Sequence, residues 1–306
     1  MPAFQRILVD VDATAGRHPA LDLAAAIARR DAARLTVVDV VPPAPLPARV
    51  FMTANVEQEL VAHRGEHLAE LAEALRPSGL HVDVEVLRGK PAIALVRRVL
   101  YGGHDLLIRS HGRSSGVDGR FGAVDMELLR LCPCPVWLVP RGAPSLPRRV
   151  LAAIHANPDD EGEQRLNGRI AGLALDIARL AGGSLTLLQA WLAYGEELLR
   201  ARLPDAEFAA YVEQSHQAAR DHLNAFVASL GSPFAGVNVE VAKGEADDVI
   251  VGYAQDQAID LVVMGTMARA GLAGLVIGNT AERILQRLRC AVLAVKPDGF
   301  VSPIQP

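Results

Sequence analysis

Arg6-Ile-Leu-Val-Asp-Val-Asp12 is a short apolar run that ends in an acid, and it returns as Arg149-Val-Leu-Ala-Ala-Ile-His155, offset by 143 residues. Further pairs follow in the same order. Arg34-Leu-Thr-Val-Val-Asp-Val40 matches Ser184-Leu-Thr-Leu-Leu-Gln-Ala190 at 150. Val82-Asp-Val-Glu-Val86 matches Val237-Asn-Val-Glu-Val241, Gly89 matches Gly244, and Asp105-Leu-Leu-Ile108 matches Asp260-Leu-Val-Val263, all at 155. Gly122 matches Gly278, and Cys134-Pro-Val-Trp-Leu-Val139 matches Cys290-Ala-Val-Leu-Ala-Val295, both at 156. Offsets that rise in small steps are the mark of one unit duplicated and then altered by loop insertions.

Within each half, short Val/Ile/Leu runs bounded by Gly, Pro or Asp read as strands buried on both faces. They fall near residues 6–11, 35–40, 82–87, 105–109 and 135–139, then 149–154, 185–190, 237–242, 260–264 and 291–295. Between them lie Ala/Leu/Arg/Glu stretches with helical spacing: Ala20 to Arg30, Val56 to Leu75, Gly168 to Ala181, Ala206 to Leu230 and Thr280 to Leu288. The alternation predicts an α/β protein of two tandem, doubly wound, five-stranded parallel-sheet domains. Their expected extents are residues 1–140 and 148–306, joined by a Pro-rich linker at 141–147. Ligands in such sheets bind beyond the carboxyl ends of the strands.

The 306 residues suffice for two cores, and aromatics make up only 4%, which suits helices packed on a sheet. A net charge of -4 gives no bulk attraction to nucleic acid or anionic membrane, so neither partner is expected. No apolar run approaches the roughly 20 residues of a membrane span, and the N-terminus lacks the pattern of a secretory signal. Three cysteines, Cys132, Cys134 and Cys290, are an odd set without metal-type pairing. Cys132-Pro-Cys134 reads as two reduced packing residues, with a redox pair as the alternative, and the compartment as cytoplasmic.

The segment from Asp260 to Glu282 runs strand, Gly-rich loop, then a helix starting about Asn279. Glycines admit backbone N–H groups to a phosphate, and a helix N-terminus adds partial positive charge. This segment resembles the ATP loop of the universal stress protein family, G-x2-G-x9-G followed by Ser or Thr. Ile7 to Asp12 is similar to that family's first strand, whose closing Asp contacts adenosine. Gly89-Lys-Pro91 and Gly244-Glu-Ala246 resemble its turn after the third strand. Gly278-Asn-Thr-Ala-Glu282, Leu288-Arg-Cys290 and Lys296-Pro-Asp298 resemble the tandem, E-type branch.

The resemblance implies an adenine nucleotide alpha hydrolase-like fold and candidate ligand residues. These are Asp12, Gly89, Gly112 and Gly122 in half one, and His155, Gly244, Gly265, Thr266, Gly278, Asn279 and Thr280 in half two. Neither half carries the full motif. Half one has Arg109 or Ser110 where the first glycine belongs, and Ala123 in place of the hydroxyl residue. Half two has Ala268 as second glycine, Asn279 for the hydroxyl, and His155 for the adenosine Asp. Each loss is worth about 1–3 kcal/mol, so ATP or another adenine nucleotide is expected to bind weakly or not at all, and half two is the choice if either half holds one. Asn279 and Glu282 also have capping-box spacing. Arg109, His111, Arg113 and Arg120 ring the first loop, where they would suit an anion or simply meet solvent.

His63-Arg-Gly-Glu66-His67 matches an inverted zinc-protease motif. It has no counterpart in half two and reads as a solvated helix face, so no metal or catalytic residue is assigned. Three function classes follow: a non-catalytic stress-response regulator, a nucleotide-hydrolysing or adenylyl-transferring enzyme on a related fold, and an interaction scaffold without a ligand. The two halves are expected to pack as an internal pseudo-dimer through their last strands, which is compatible with a further homodimer.

Overall fold

The computed structural model describes residues 3–12, 15–46, 53–111, 121–266 and 277–305. Gly112, Arg113, Arg120, Ala268 and Arg269 of the sequence reading lie outside them. Among the described residues ten strands form where apolar runs were read: β1 (Arg6–Asp10), β2 (Arg34–Val41), β3 (Val82–Arg88), β4 (Leu106–His111) and β5 (Val136–Pro140) in half one. Half two has β6 (Arg149–Ala153), β7 (Ser184–Trp191), β8 (Asn238–Lys243), β9 (Leu261–Gly265) and β10 (Ala291–Val295). The helices of half one are α1 (Pro19–Asp31), α2 (Ala54–Leu75), α3 (Pro91–Gly102) and α4 (Ala123–Leu131). Those of half two are α5 (Glu161–Leu180), α6 (Glu196–Arg200), α7 (Asp205–Ser229), α8 (Ala246–Asp256) and α9 (Asn279–Arg287).

The strands make one sheet in the order β3-β2-β1-β4-β5-β10-β9-β6-β7-β8. Pairing is parallel inside each half and antiparallel only where β5 meets β10, with Leu138, Trp137 and Val136 opposite Val292, Leu293 and Ala294. The two halves therefore expose the carboxyl ends of their strands at opposite ends of the sheet. Successive strand residues alternate between two cores. Ile7 and Val9 face one core with α1, α2, α5 and α7, whereas Leu8 faces the other with α3, α4, α8 and α9. That division is the doubly wound arrangement.

One repeated contact explains a repeated acid. Asp105, just before β4, accepts from the N–H groups of Gln5 and Arg6 at 2.7 and 3.0 Å. Asp260, just before β9, accepts from Arg148 and Arg149 at 2.9 and 2.8 Å. Each carboxylate satisfies the open donors where the central strand of its half begins.

Strand register settles the first-glycine position of half one. Ser110 lies opposite Val139, and Gly265 lies opposite Val295. Val139 and Val295 are repeat partners, so Ser110 is the counterpart of Gly265 and Arg109 that of Met264. By the same registers Asp10 corresponds to Ala153, and Asp125 to Ala281, each the third residue of its helix. Half two fills these places with an apolar trio in its second core. Half one fills them with charge. Arg109, 5% exposed, donates from Nη1 to Asp10 and from Nε to Asp125 at 2.9 Å. Charges inside strands buried on both faces must be paired, because desolvating an isolated ion costs several kcal/mol.

Two consequences are measurable. Arg109→Met alone removes the cation that two buried carboxylates share and should cost roughly 3–5 kcal/mol, whereas the combined Asp10→Ala, Arg109→Met, Asp125→Ala chain copies half two and should unfold near the wild-type denaturant midpoint. A triple variant as unstable as the single one contradicts this reading. The second consequence concerns His104, whose ring bridges Thr36 Oγ1 at 3.1 Å and the Arg98 carbonyl at 3.2 Å. Burial, and then the Arg98 guanidinium, hold its pKa below the ordinary 6.5. The unfolded chain then takes up the proton first, so this contribution to stability is complete above pH 6.5 and is lost as pH falls below it. Urea midpoints at about pH 5 and 7 should differ less in His104→Gln than in the wild type. An unchanged difference would place the acid sensitivity elsewhere.

Candidate functional site

In half two, β9 ends at Gly265, and a Cβ there would lie 3.1 Å from a methyl of Leu166 on α5. The missing side chain lets α5 cross the strand end closely. Thr266 follows, fully buried, with its hydroxyl lacking a hydrogen-bond partner among the described residues. Its carbonyl accepts from the Gly278 N–H at 3.1 Å, which holds the strand end against the start of α9. Gly278 is the N-cap of α9, and among the described residues no side chain caps that helix. A buried unpaired hydroxyl is costly, and an uncapped helix start offers backbone donors and partial positive charge. The two lie side by side at the carboxyl end of the sheet.

This corrects the capping-box expectation. Asn279 is the first helical residue, one position too late to reach back to the third, and Glu282 lies 3.7 Å from Arg130 of half one. Asn279 and Thr280 are both exposed at the helix start. The loop after β6 is pinned by buried amides. Asn167 accepts from the His155 N–H at 3.4 Å and donates to its carbonyl at 2.7 Å, and Gln189 accepts from the Ala156 N–H at 3.1 Å. The His155 ring stays half-exposed at the strand end. Gly244 turns the chain after β8 with φ +144, donating to the Trp191 carbonyl at 2.9 Å. Gly89 does the same after β3 with φ +116, donating to Val41 at 3.1 Å. Side chains rarely adopt such backbone, so this glycine pair is a folding requirement as well as a candidate site feature.

Half one is built on the same plan and closed differently. Gly122 is the N-cap of α4, but its N–H donates to Asp125 Oδ2 at 2.9 Å. The same carboxylate takes the Arg109 bond through Oδ1. An anion therefore already occupies the helix start, where it favours the helix and repels a phosphate. Arg109 belongs to this buried network, which corrects its reading as part of a basic ring around the loop. Asp12 lies past the end of β1, with a carboxylate oxygen 3.4 Å from Arg141. Val11, Asp12, His18, Ser110 and Arg141 line a small pocket there. Burial and the nearby His67 lower the pKa of His18. In the zinc-like stretch, His63 and Glu66 are exposed, His67 lies 3.4 Å from Glu70, and Arg64 turns inward to Asp39 at 2.8 Å. Among the described residues no three potential ligands converge as a metal site, and no helix is long and apolar enough to cross a membrane.

The sequence reading missed Asp10 and Asp125. The available signal was a charged residue inside each of two apolar strands, Asp10 in β1 and Arg109 in β4, which called for a buried partner.

Comparison with known proteins gives the same picture. The model of the universal stress protein family matches residues 3–140 and 158–296. Universal stress protein E of Escherichia coli K12 is 26% identical over all of this chain and 98% of its own length. The protein of that name from Photorhabdus laumondii is 25% identical over all of this chain and 99% of its own. Among solved structures, a putative universal stress protein from Pseudomonas aeruginosa UCBPP-PA14 is 27% identical with a TM-score of 0.72, covering 98% of this chain and 95% of that one. A functionally unknown protein from Pseudomonas aeruginosa PAO1 is 26% identical with a TM-score of 0.74 over the same shares. Two family matches in one polypeptide, on a sheet wound twice in the same order, show that the chain belongs to the universal stress protein family as a tandem member.

Proposed function

We propose that this universal stress protein acts without catalytic turnover, as a cytoplasmic stress-response regulator with one weak adenine-nucleotide site in half two. The observation that carries the reading is the unpaired, fully buried Thr266 hydroxyl beside the uncapped start of α9. A phosphate there would receive the helix donors and the hydroxyl together. In half one the Asp125 carboxylate stands in that place, so the nucleotide goes to half two alone. Weakness follows from the motif residues half two lacks: Ala268 for glycine, and His155 for the acid that would hold a ribose. Family resemblance, the low net charge and the cysteine usage support the cytoplasmic, non-enzymatic part of the reading.

Titration calorimetry of the full chain with ATP tests this. The expected result is a single shallow isotherm with a dissociation constant of roughly 0.1–1 mM. Gly278→Val should abolish it, and Asp12→Ala should leave it unchanged. Tight binding, or loss on changing Asp12, would refute the assignment to half two.

Thr266→Val separates binding from folding. Removing an unsatisfied buried hydroxyl should raise stability by about 1 kcal/mol while weakening ATP binding at least fivefold. Lower stability together with unchanged affinity would show that the hydroxyl serves packing. Steady phosphate release that survives purification and disappears in Gly278→Val would overturn the claim of no turnover.

A further inference from the structure

Cys132 and Cys134 leave a chemical opportunity that the nucleotide reading does not use. Their sulfur atoms are 3.5 Å apart across Pro133, packed in the second core where α4 leads into the junction strand β5. Cys132 closes α4, its N–H donating to the Leu128 carbonyl at 2.9 Å. Over this corner lies Lys296 of half two, 2% exposed, donating from Nζ to the Leu129 carbonyl and sitting 4.7 Å from the Phe300 ring centre. Burial lowers its pKa to about 8. Cys290 occupies the place of Cys134 in half two, where Leu288 replaces the first cysteine. The duplicated fold thus contains a paired thiol and, at the equivalent point, a single one.

We propose that Cys132 and Cys134 are a thiol–disulfide site that gives two electrons to a peroxide-class oxidant and closes a bridge across Pro133. The sulfurs already touch, so closure needs side-chain rotation over about 1.5 Å to reach a bond of roughly 2.05 Å. Cys134, 7% exposed, is the side from which an oxidant arrives, and Cys132 is sealed at 0%. In the first step the Cys134 thiolate attacks one peroxide oxygen. The O–O bond breaks, hydroxide leaves and takes up the thiol proton as water, and a sulfenic acid forms. The Cys132 sulfur then attacks that sulfur. The S–S bond forms, the S–O bond breaks, and the departing hydroxide leaves as water with the Cys132 proton. Two thiols and one hydrogen peroxide give one disulfide and two waters.

The surroundings set the rate. Contact with Cys132, and then burial, raise the Cys134 pKa, which disfavours its thiolate, so reaction waits on local opening. Oxidation should be slow in the closed protein and faster at higher pH. Burial pushes the lone Cys290 up to about 12, and this thiol, the most accessible of the three, is the internal control.

The test uses the reduced full chain exposed to about 1 mM hydrogen peroxide, alone and in about 2 M urea to populate local opening, with thiols then counted in denaturant. The count should fall from three to one, given the three free cysteines. The tryptic peptide covering residues 131–141 should lose about two mass units, reversed by dithiothreitol. Cys290→Ser should show the same loss, and Cys132→Ser should not. Three surviving thiols in the wild type under both conditions would overturn the proposal. So would oxidation confined to Cys290 or to disulfide-linked dimers with the 131–141 peptide unchanged.

Discussion

The antiparallel pairing of β5 with β10 is the constraint from which the rest of this structure follows. Each half ends on an apolar strand that would otherwise be a bare sheet edge. Joining those two edges merges both halves into one sheet and covers Trp137 and Leu293, both buried. Because the pairing is antiparallel, the strand ends that could receive ligands face opposite ways. The two candidate sites of one polypeptide are thus kept apart by geometry and free to diverge. Other contacts fasten the seam, among them the buried Lys296 of half two against the last turn of α4.

Divergence has acted on three equivalent positions. Where half two has Ala153, Met264 and Ala281, half one has Asp10, Arg109 and Asp125. The apolar trio leaves the start of α9 without a side-chain cap. The ionic trio brings a carboxylate to the start of α4, where it accepts the Gly122 N–H. One fold therefore presents an open helix terminus in one half and a filled one in the other. The same duplication left a cysteine pair in half one and a single cysteine in half two. In a tandem protein, one copy can keep a ligand-type loop while the other is remade, since folding asks only that each core be filled and each buried charge be paired.

The sheet was legible because a strand buried on both faces must be apolar throughout, and each such run recurred in the same order at an offset that rises in small steps. Asp105 and Asp260 were visible as a repeated pair, and their shared work at the start of the central strands explains the repetition. The glycine turns at Gly89 and Gly244 were readable for a similar reason, since both positions need positive φ. The sites were less legible. Whether Arg109 or Ser110 replaces the first glycine depends on strand register, which spacing alone leaves open by one residue. The Arg109 network joins positions 99 and 16 residues away, so no local pattern announces it. Asn279 read as a cap because Asn and Glu are correctly spaced, but the N-cap falls one residue earlier, on Gly278.

The central claim is that the helix start after β9 accepts an anionic nucleotide and the one after β4 does not. An amide-resolved NMR titration of the full chain with ATP tests it directly. The N–H resonances of Gly278, Asn279 and Thr280 should move with increasing nucleotide, and those of Gly122, Ala123 and Val124 should stay in place. Movement at Gly122 to Val124 with a silent Gly278 to Thr280 would contradict the account.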